Sequence, residues 1–227
     1  MEMETISGSV LAAVVSDGAG TASHAEAGSR MVCTGFLRAV SNHFKSRKGI
    51  DEIREEDIFD WLDDIRERVN VFARRARIRP RDCASTLIGL LAGPESALVV
   101  HIGDGAAVVR EQGTSEWVVP SWPFQGEYAS TTVFITDDPM STPSIVMLPV
   151  RLDRVAIFSD GIERLVLDHA KRTAHGPFFD RVTAPVAASE IFGHNVALSK
   201  PLREYLDSKA ICDRTDDDKS LILGARR

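Results

Sequence analysis

Residues 8–16 form a near-continuous apolar run, which predicts a strand buried on both faces. Gly18-Ala19-Gly20 predicts a turn after it. Residues 24–45 predict a helix, with Met31, Gly35 and Ala39 on one face and Phe36 and Val40 beside them. After a break at Gly49 the apolar positions Ile58, Trp61, Leu62, Ile65, Val69 and Phe72 recur at helical spacing, while Asp63, Asp64, Arg66, Glu67 and Arg68 face elsewhere. That amphipathic helix is expected to end near Arg79-Pro80. The period then changes to that of strands over 84–92, 97–103, 106–110, 117–119, 131–136 and 154–159, with turns at Gly93-Pro94 and Gln112-Gly113. A long surface loop is expected at 120–130, helices at 162–172 and 201–209 (Pro201 near the start of the second), and a closing strand at 219–224. Strand, two helices, meander, helices, strand is an α+β order rather than that of a parallel doubly wound sheet.

The totals narrow the function classes. A chain of 227 residues, 44% apolar and 26% charged, suits one soluble domain with a core of its own. A net charge of −6 argues against nucleic acid or an anionic membrane as a partner. The run Arg74, Arg75, Arg77, Arg79, Arg81 is the one basic cluster, suited to nucleic acid or an acidic phosphoprotein, but it reads first as the polar end of a helix, with no aromatic residues interleaved to stack on bases. Cys33, Cys83 and Cys212 are widely spaced and without a CxxC, which reads as reduced thiols in a cytoplasmic protein. No apolar run is long enough to span a bilayer, and the N-terminus lacks the basic region of a signal peptide.

The candidate chemistry lies at the strand tips. Three apolar runs end in Asp-Gly, at Asp17-Gly18, Asp104-Gly105 and Asp160-Gly161, and Asp216-Asp217-Asp218 precedes the last run, Ser220-Leu-Ile-Leu. Each Asp-Gly is first of all a turn signal, but Asp17 is followed by a helix pattern, so a hairpin explains it poorly. Together the four tips offer carboxylate oxygens to hard cations such as Mg²⁺ or Mn²⁺, which need neither His nor Cys. Two such ions could share a bridging carboxylate and a bridging water that attacks phosphorus in line. Asp17 is the candidate bridge, with the Gly18 carbonyl, Asp160 and Asp217 as further ligands.

Other chemistries fit worse. Gly18-Ala-Gly-Thr-Ala-Ser23 imitates a dinucleotide fingerprint but lacks its last glycine and its distal acid. Walker A, HExxH and Gly-x-Ser-x-Gly sequences are absent, and the six histidines lack ligand spacing. Cys33 and Arg38 stand one residue too close for a Cys-x5-Arg phosphatase loop.

In order along the chain, Ser16-Asp17-Gly18-Ala19-Gly20, Ala84-Ser85-Thr86, Ile102-Gly103-Asp104-Gly105, Phe158-Ser159-Asp160-Gly161 and Asp217-Asp218-Lys-Ser220-Leu resemble the motifs of the metal-dependent Ser/Thr protein phosphatases of the protein phosphatase 2C type, in a bacterial form. The resemblance spans nearly the whole chain, so residues 1–227 are expected to be a single phosphatase-like domain. It implies an α-β-β-α sandwich of two antiparallel sheets packed face to face with helices outside. It also implies two Mg²⁺ or Mn²⁺ ions held by Asp17, Gly18, Asp160 and Asp217, Asp17 and Asp160 being catalytic, and a third ion at Asp104 in some members. The implied activity is hydrolysis of phosphoserine and phosphothreonine in phosphoprotein substrates by a metal-bridging water, in bacterial signalling.

The family's upstream Arg and acidic pair lack a counterpart in the sixteen residues before Asp17, which include Glu2 and Glu4, so the first strand and its motif are expected to be truncated. Ala19 stands where many members carry a His proposed as general acid, and Arg164, beside Glu163, replaces a third-metal Asp. The rival readings are a pseudophosphatase, catalytically impaired and acting as a phosphoprotein-binding or regulatory module, and a nucleotide-binding enzyme using Gly18–Ser23.

Overall fold

The computed structural model describes residues 1–6, 9–46, 49–124 and 132–227. The elements run β1 (Glu2–Ile6), β2 (Val10–Val15), α1 (Ala25–Lys45), α2 (Glu55–Ala76), β3 (Leu87–Ala92), β4 (Ala97–Ile102), β5 (Ala106–Glu111), β6 (Trp117–Val118), β7 (Ser144–Leu148) and β8 (Leu152–Phe158). They continue with α3 (Asp160–Val166), β9 (Leu167–Asp168), β10 (Thr173–Ala174), α4 (Gly176–Ala188), α5 (Val196–Leu206), α6 (Lys209–Cys212) and β11 (Leu221–Ala225). One sheet has the order β1-β2-β3-β4-β7, a second β11-β8-β5-β6, and β9 and β10 form a small hairpin. Every strand pair is antiparallel. The α-β-β-α sandwich is therefore present, and an antiparallel β2 removes the setting that a dinucleotide fingerprint at Gly18–Ser23 requires.

Strand alternation divides the core into three layers. Ala13, Val15, Ile88, Leu90, Val99, Ala107, Val109, Val155 and Ile157 meet between the sheets. Ala12, Val14, Leu87, Leu91 and Val100 point the other way, onto Val32, Phe36 and Val40 of α1 and Ile58, Leu62 and Ile65 of α2. On the far side Ala106, Val108, Ala156 and Phe158 pack against Ile162 and Val166 of α3, Phe179 of α4 and Leu206 of α5. Gly89 leaves room on the first helix-facing surface: a Cβ there would collide with the Phe36 ring. α2 has a buried stripe of Ile58, Leu62, Ile65, Val69 and Ala73, with acids in its first turn and Arg74 and Arg75 in its last, matching the helix dipole.

Several boundaries differ from the sequence reading. β1 pairs with β2 although no strand is expected before residue 8. In the stretch expected as a strand at 131–136, Thr131 lies outside the described residues, and 132–136 runs irregularly. The Ile135 backbone is met without a ladder: its N–H donates to the Ser85 carbonyl at 3.0 Å, and the Arg66 guanidinium donates to the Ile135 and Asp137 carbonyls at 2.9 Å each. The helix expected at 162–172 starts at Asp160 and gives way after Val166 to β9 and β10. Pro201 lies inside α5, and α4, itself containing Pro185, has no sequence counterpart. Most of the loop at 120–130 lies outside the described residues. Among the described residues no helix is long and apolar enough to cross a membrane, and Cys33, Cys83 and Cys212 are free thiols.

Candidate metal centre

The Asp17 turn is built by hydrogen bonds to the start of β3. Asp17 N–H donates to Thr86 Oγ1 at 2.9 Å, Thr86 N–H donates to the Asp17 carbonyl at 2.8 Å, and Ser16 Oγ donates to the Thr86 carbonyl at 2.6 Å. Ala19 N–H donates to the Ala84 carbonyl at 2.9 Å. These bonds flank the Gly18–Ser85 bridge, so the ladder leaves the Gly18 carbonyl unspent. The Ala84-Ser85-Thr86 motif thus acts as the clamp on Asp17.

A second clamp joins the other two motifs. Ser159 N–H donates to the Ser220 carbonyl and Ser220 N–H donates to Ser159 Oγ, both at 3.1 Å; Ser159 Oγ donates to the Asp218 carbonyl at 3.2 Å. A Cβ at Gly161 would collide with that same Asp218 carbonyl. The acidic knot is thereby pinned to the N-terminus of α3, and Asp217 is brought to the side of the fold where Asp160 stands.

The four aspartates feel one another. Asp17 and Asp160 are within hydrogen-bonding reach, and the charges of Asp104 and Asp217 act on both. Burial first, then Asp104, Asp17 and Asp217, push Asp160 up to about 8. Burial also raises Asp17, with its bond to Asp160 opposing, and raises Asp104, with the Thr132 hydroxyl opposing. Asp160 Oδ1 is buried without a hydrogen-bond partner. As they stand, no three of the described His, Cys, Asp or Glu side chains close on one point. Asp217 is exposed, and its Oδ1 accepts from Asp218 N–H at 2.8 Å. An orphaned carboxylate oxygen amid like charges, with oxygen donors only, fits a hard divalent cation and is costly without one.

That cost has a pH signature. Asp160 has its ordinary value of 3.8 when unfolded and about 8 when folded, so the folded state binds the proton more tightly. Its stabilising contribution is complete below pH 3.8 and is lost as pH rises through about 8. Asp17 and Asp104, also raised, act in the same direction. The melting temperature of the metal-free protein is expected to fall from about pH 4 to about pH 8, the window set by this proton linkage. Mn²⁺ should restore it more at the upper end and release protons on binding, which calorimetry in buffers of different ionisation enthalpy detects. A flat metal-free profile would contradict the like-charge cluster.

Two features escape the motif reading. Buried Glu163 pairs with His169, whose ring meets Trp122 edge-on at 5.6 Å between centroids; burial raises the Glu163 carboxyl while His169 opposes. Glu2, half-buried, lies opposite Val14, at the end of β1 that approaches the Asp17 turn. A polar alternation in Met-Glu-Met-Glu-Thr was the available signal for that strand.

The protein phosphatase 2C family model matches residues 3–207. "Serine/threonine-protein phosphatase 3" of Escherichia coli K12 is 32% identical over 216 residues, covering 94% of this chain and 83% of that protein. Among solved structures, the serine/threonine phosphatase Stp1 of Staphylococcus aureus superposes with a TM-score of 0.64 at 16% identity, covering 100% of this chain and 87% of the other. The Mycobacterium tuberculosis serine/threonine phosphatase PstP/Ppp gives 0.64 at 15% identity, covering 98% and 89%.

Proposed function

Because the chain belongs to the protein phosphatase 2C family, we propose that it hydrolyses phosphoserine and phosphothreonine in proteins with two Mg²⁺ or Mn²⁺ ions held around Asp17 and Asp160. The observation that carries this reading is the buried, unpartnered Asp160 Oδ1 among the charges of Asp17, Asp104 and Asp217. Bound there, the ions would lower the pKa of a water and neutralise charge on the phosphoryl oxygens. Asp17 would be the carboxylate shared by both ions, a reading supported by the clamp of its turn to β3 and by the reach of its side chain to Asp160. The Gly18 carbonyl, Asp160 and Asp217 complete the donor set, and Asp217 would have to leave its bond to Asp218 N–H to join it. Asp104 is the residue for a third ion.

Ala19 offers no proton, so the leaving serine or threonine oxygen would take its proton from solvent, and attack by a metal-activated water would form no phosphoenzyme. The pseudophosphatase alternative finds no support in the comparisons. The test is release of phosphate from a phosphothreonine peptide with Mn²⁺, reversed by a chelator. Absence of Mn²⁺-dependent turnover would favour the binding-module reading.

A further inference from the structure

We infer that Arg75, Arg77 and Arg81 form a docking surface for an acidic segment of the phosphoprotein, on one flank of the residue being dephosphorylated. The inference rests on the phosphatase reading. α1 leaves the Asp17 turn and α2 returns to it: the His24 ring meets Phe72 edge-on at 6.3 Å, and His24 N–H donates to the Asp82 carbonyl at 2.7 Å. A 3-10 turn at Pro80–Cys83 then leads into Ala84, whose carbonyl holds Ala19. Three residues of such a turn rise about 6 Å, so Arg81 stands close to the loop that presents Asp17.

All five arginines from 74 to 81 are exposed, but they are not equivalent. Arg74 pairs with Glu67 at 2.8 Å and Arg79 with Asp82 at 3.0 Å. Arg75, Arg77 and Arg81 have no ion pair among the described residues. Complementing the helix dipole accounts for Arg74 and Arg75, in the last turn of α2, but not for the residues beyond it.

Arg77 adds an independent point. It closes α2 at φ 58°, and Ile78 N–H donates back to the Ala73 carbonyl at 3.0 Å, the arrangement in which glycine is the easy residue. An arginine there accepts backbone strain to keep a guanidinium at this rim. The chain as a whole carries −6, which repels an acidic peptide, so a local patch of unpaired cations beside the site is what would select one.

The test compares phosphothreonine peptides with four glutamates on the N-terminal flank, four on the C-terminal flank, or glutamines on both, with Mn²⁺ at low and high salt. The variant is Arg75→Gln/Arg77→Gly/Arg81→Gln, glycine being suited to the positive φ, and the control is Arg203→Gln on exposed α5. Wild type and control should prefer one acidic flank about tenfold at low salt and lose the preference at high salt. The triple variant should lack the preference while turning over p-nitrophenyl phosphate, which has no flanks, at the wild-type rate. An equal preference in the triple variant, or none in wild type, overturns the proposal. Anisotropy of a labelled, unphosphorylated glutamate-rich peptide reads docking even if no hydrolysis is found, and so separates a failure here from failure of the phosphatase reading. Weaker binding by the triple variant supports docking. Equal binding, or tighter binding of a single-stranded oligonucleotide than of the peptide, overturns it.

Discussion

Asp160→Asn is expected to lower Mn²⁺-dependent hydrolysis of p-nitrophenyl phosphate about 10²–10³-fold, because it loosens the proposed ion that would stabilise transition-state charge, and to raise the melting temperature of the metal-free protein. The two effects have one cause. Asp160 is held at about 8 by burial and by Asp104, Asp17 and Asp217, so in metal-free protein above neutral pH its ionisation is a strain on the fold. Asparagine removes that charge, keeps the shape and lets an N–H donate to the Asp17 carboxylate. The same change removes an oxygen proposed to hold the metal. A less active, less stable variant would point to structural damage instead, and one as active as wild type would mean that the centre has been assigned to the wrong carboxylates. Measured at pH 8, where the metal-free wild type is most strained, the gain in melting temperature should be largest.

The candidate site is more legible in the sequence than the frame that holds it. Asp17, Asp104, Asp160 and Asp217 can be found because each stands at the end of an apolar run, and a strand tip is a local signal. What holds them is not local. The clamp of Ser16 and Asp17 onto Thr86 joins residues about seventy apart, and the clamp of Ser159 onto Ser220 joins residues sixty-one apart. Nothing in either segment announces its partner. β1 is obscured because Glu2 and Glu4 share the face of Ile6, which packs under the helices, and leave Met3 to pack between the sheets. The stretch 131–136 misleads in the opposite sense. Thr, Val, Phe and Ile favour a strand, yet Ile135 is fully buried and its backbone is satisfied by Ser85 and Arg66. Tertiary hydrogen bonds there outweigh propensity. Pro185 conceals α4, and Pro201, read as a helix start, hides the first residues of α5, for a related reason. Proline costs a helix an internal donor, and contacts such as Phe179 and Leu206 under the second sheet offset a loss that local pattern counts in full.

Gly161→Ala is expected to weaken Mn²⁺ binding about 10–100-fold, the range for losing a group that positions a metal ligand, although it adds only one methyl group and touches no metal ligand. Gly161 lies within α3 in helical conformation, so alanine by itself would favour the helix by about 0.5–1 kcal/mol. The added Cβ, however, meets the Asp218 carbonyl, a backbone atom held by Ser159 Oγ. It cannot swing aside as a flexible side chain could. The turn of Asp216–Asp218 must retreat, and Asp217, which already has to give up its bond to Asp218 N–H to reach an ion, retreats with it. Titrating activity against Mn²⁺ reads the loss, and a double-mutant cycle assigns it. Gly161→Ala combined with Asp217→Asn should bind Mn²⁺ no more weakly than Asp217→Asn alone, because both act through the same carboxylate. Additive losses would show that Gly161 acts elsewhere, and unchanged Mn²⁺ affinity in Gly161→Ala would remove Asp217 from the centre and leave the ions to Asp17, Asp160 and their nearer neighbours.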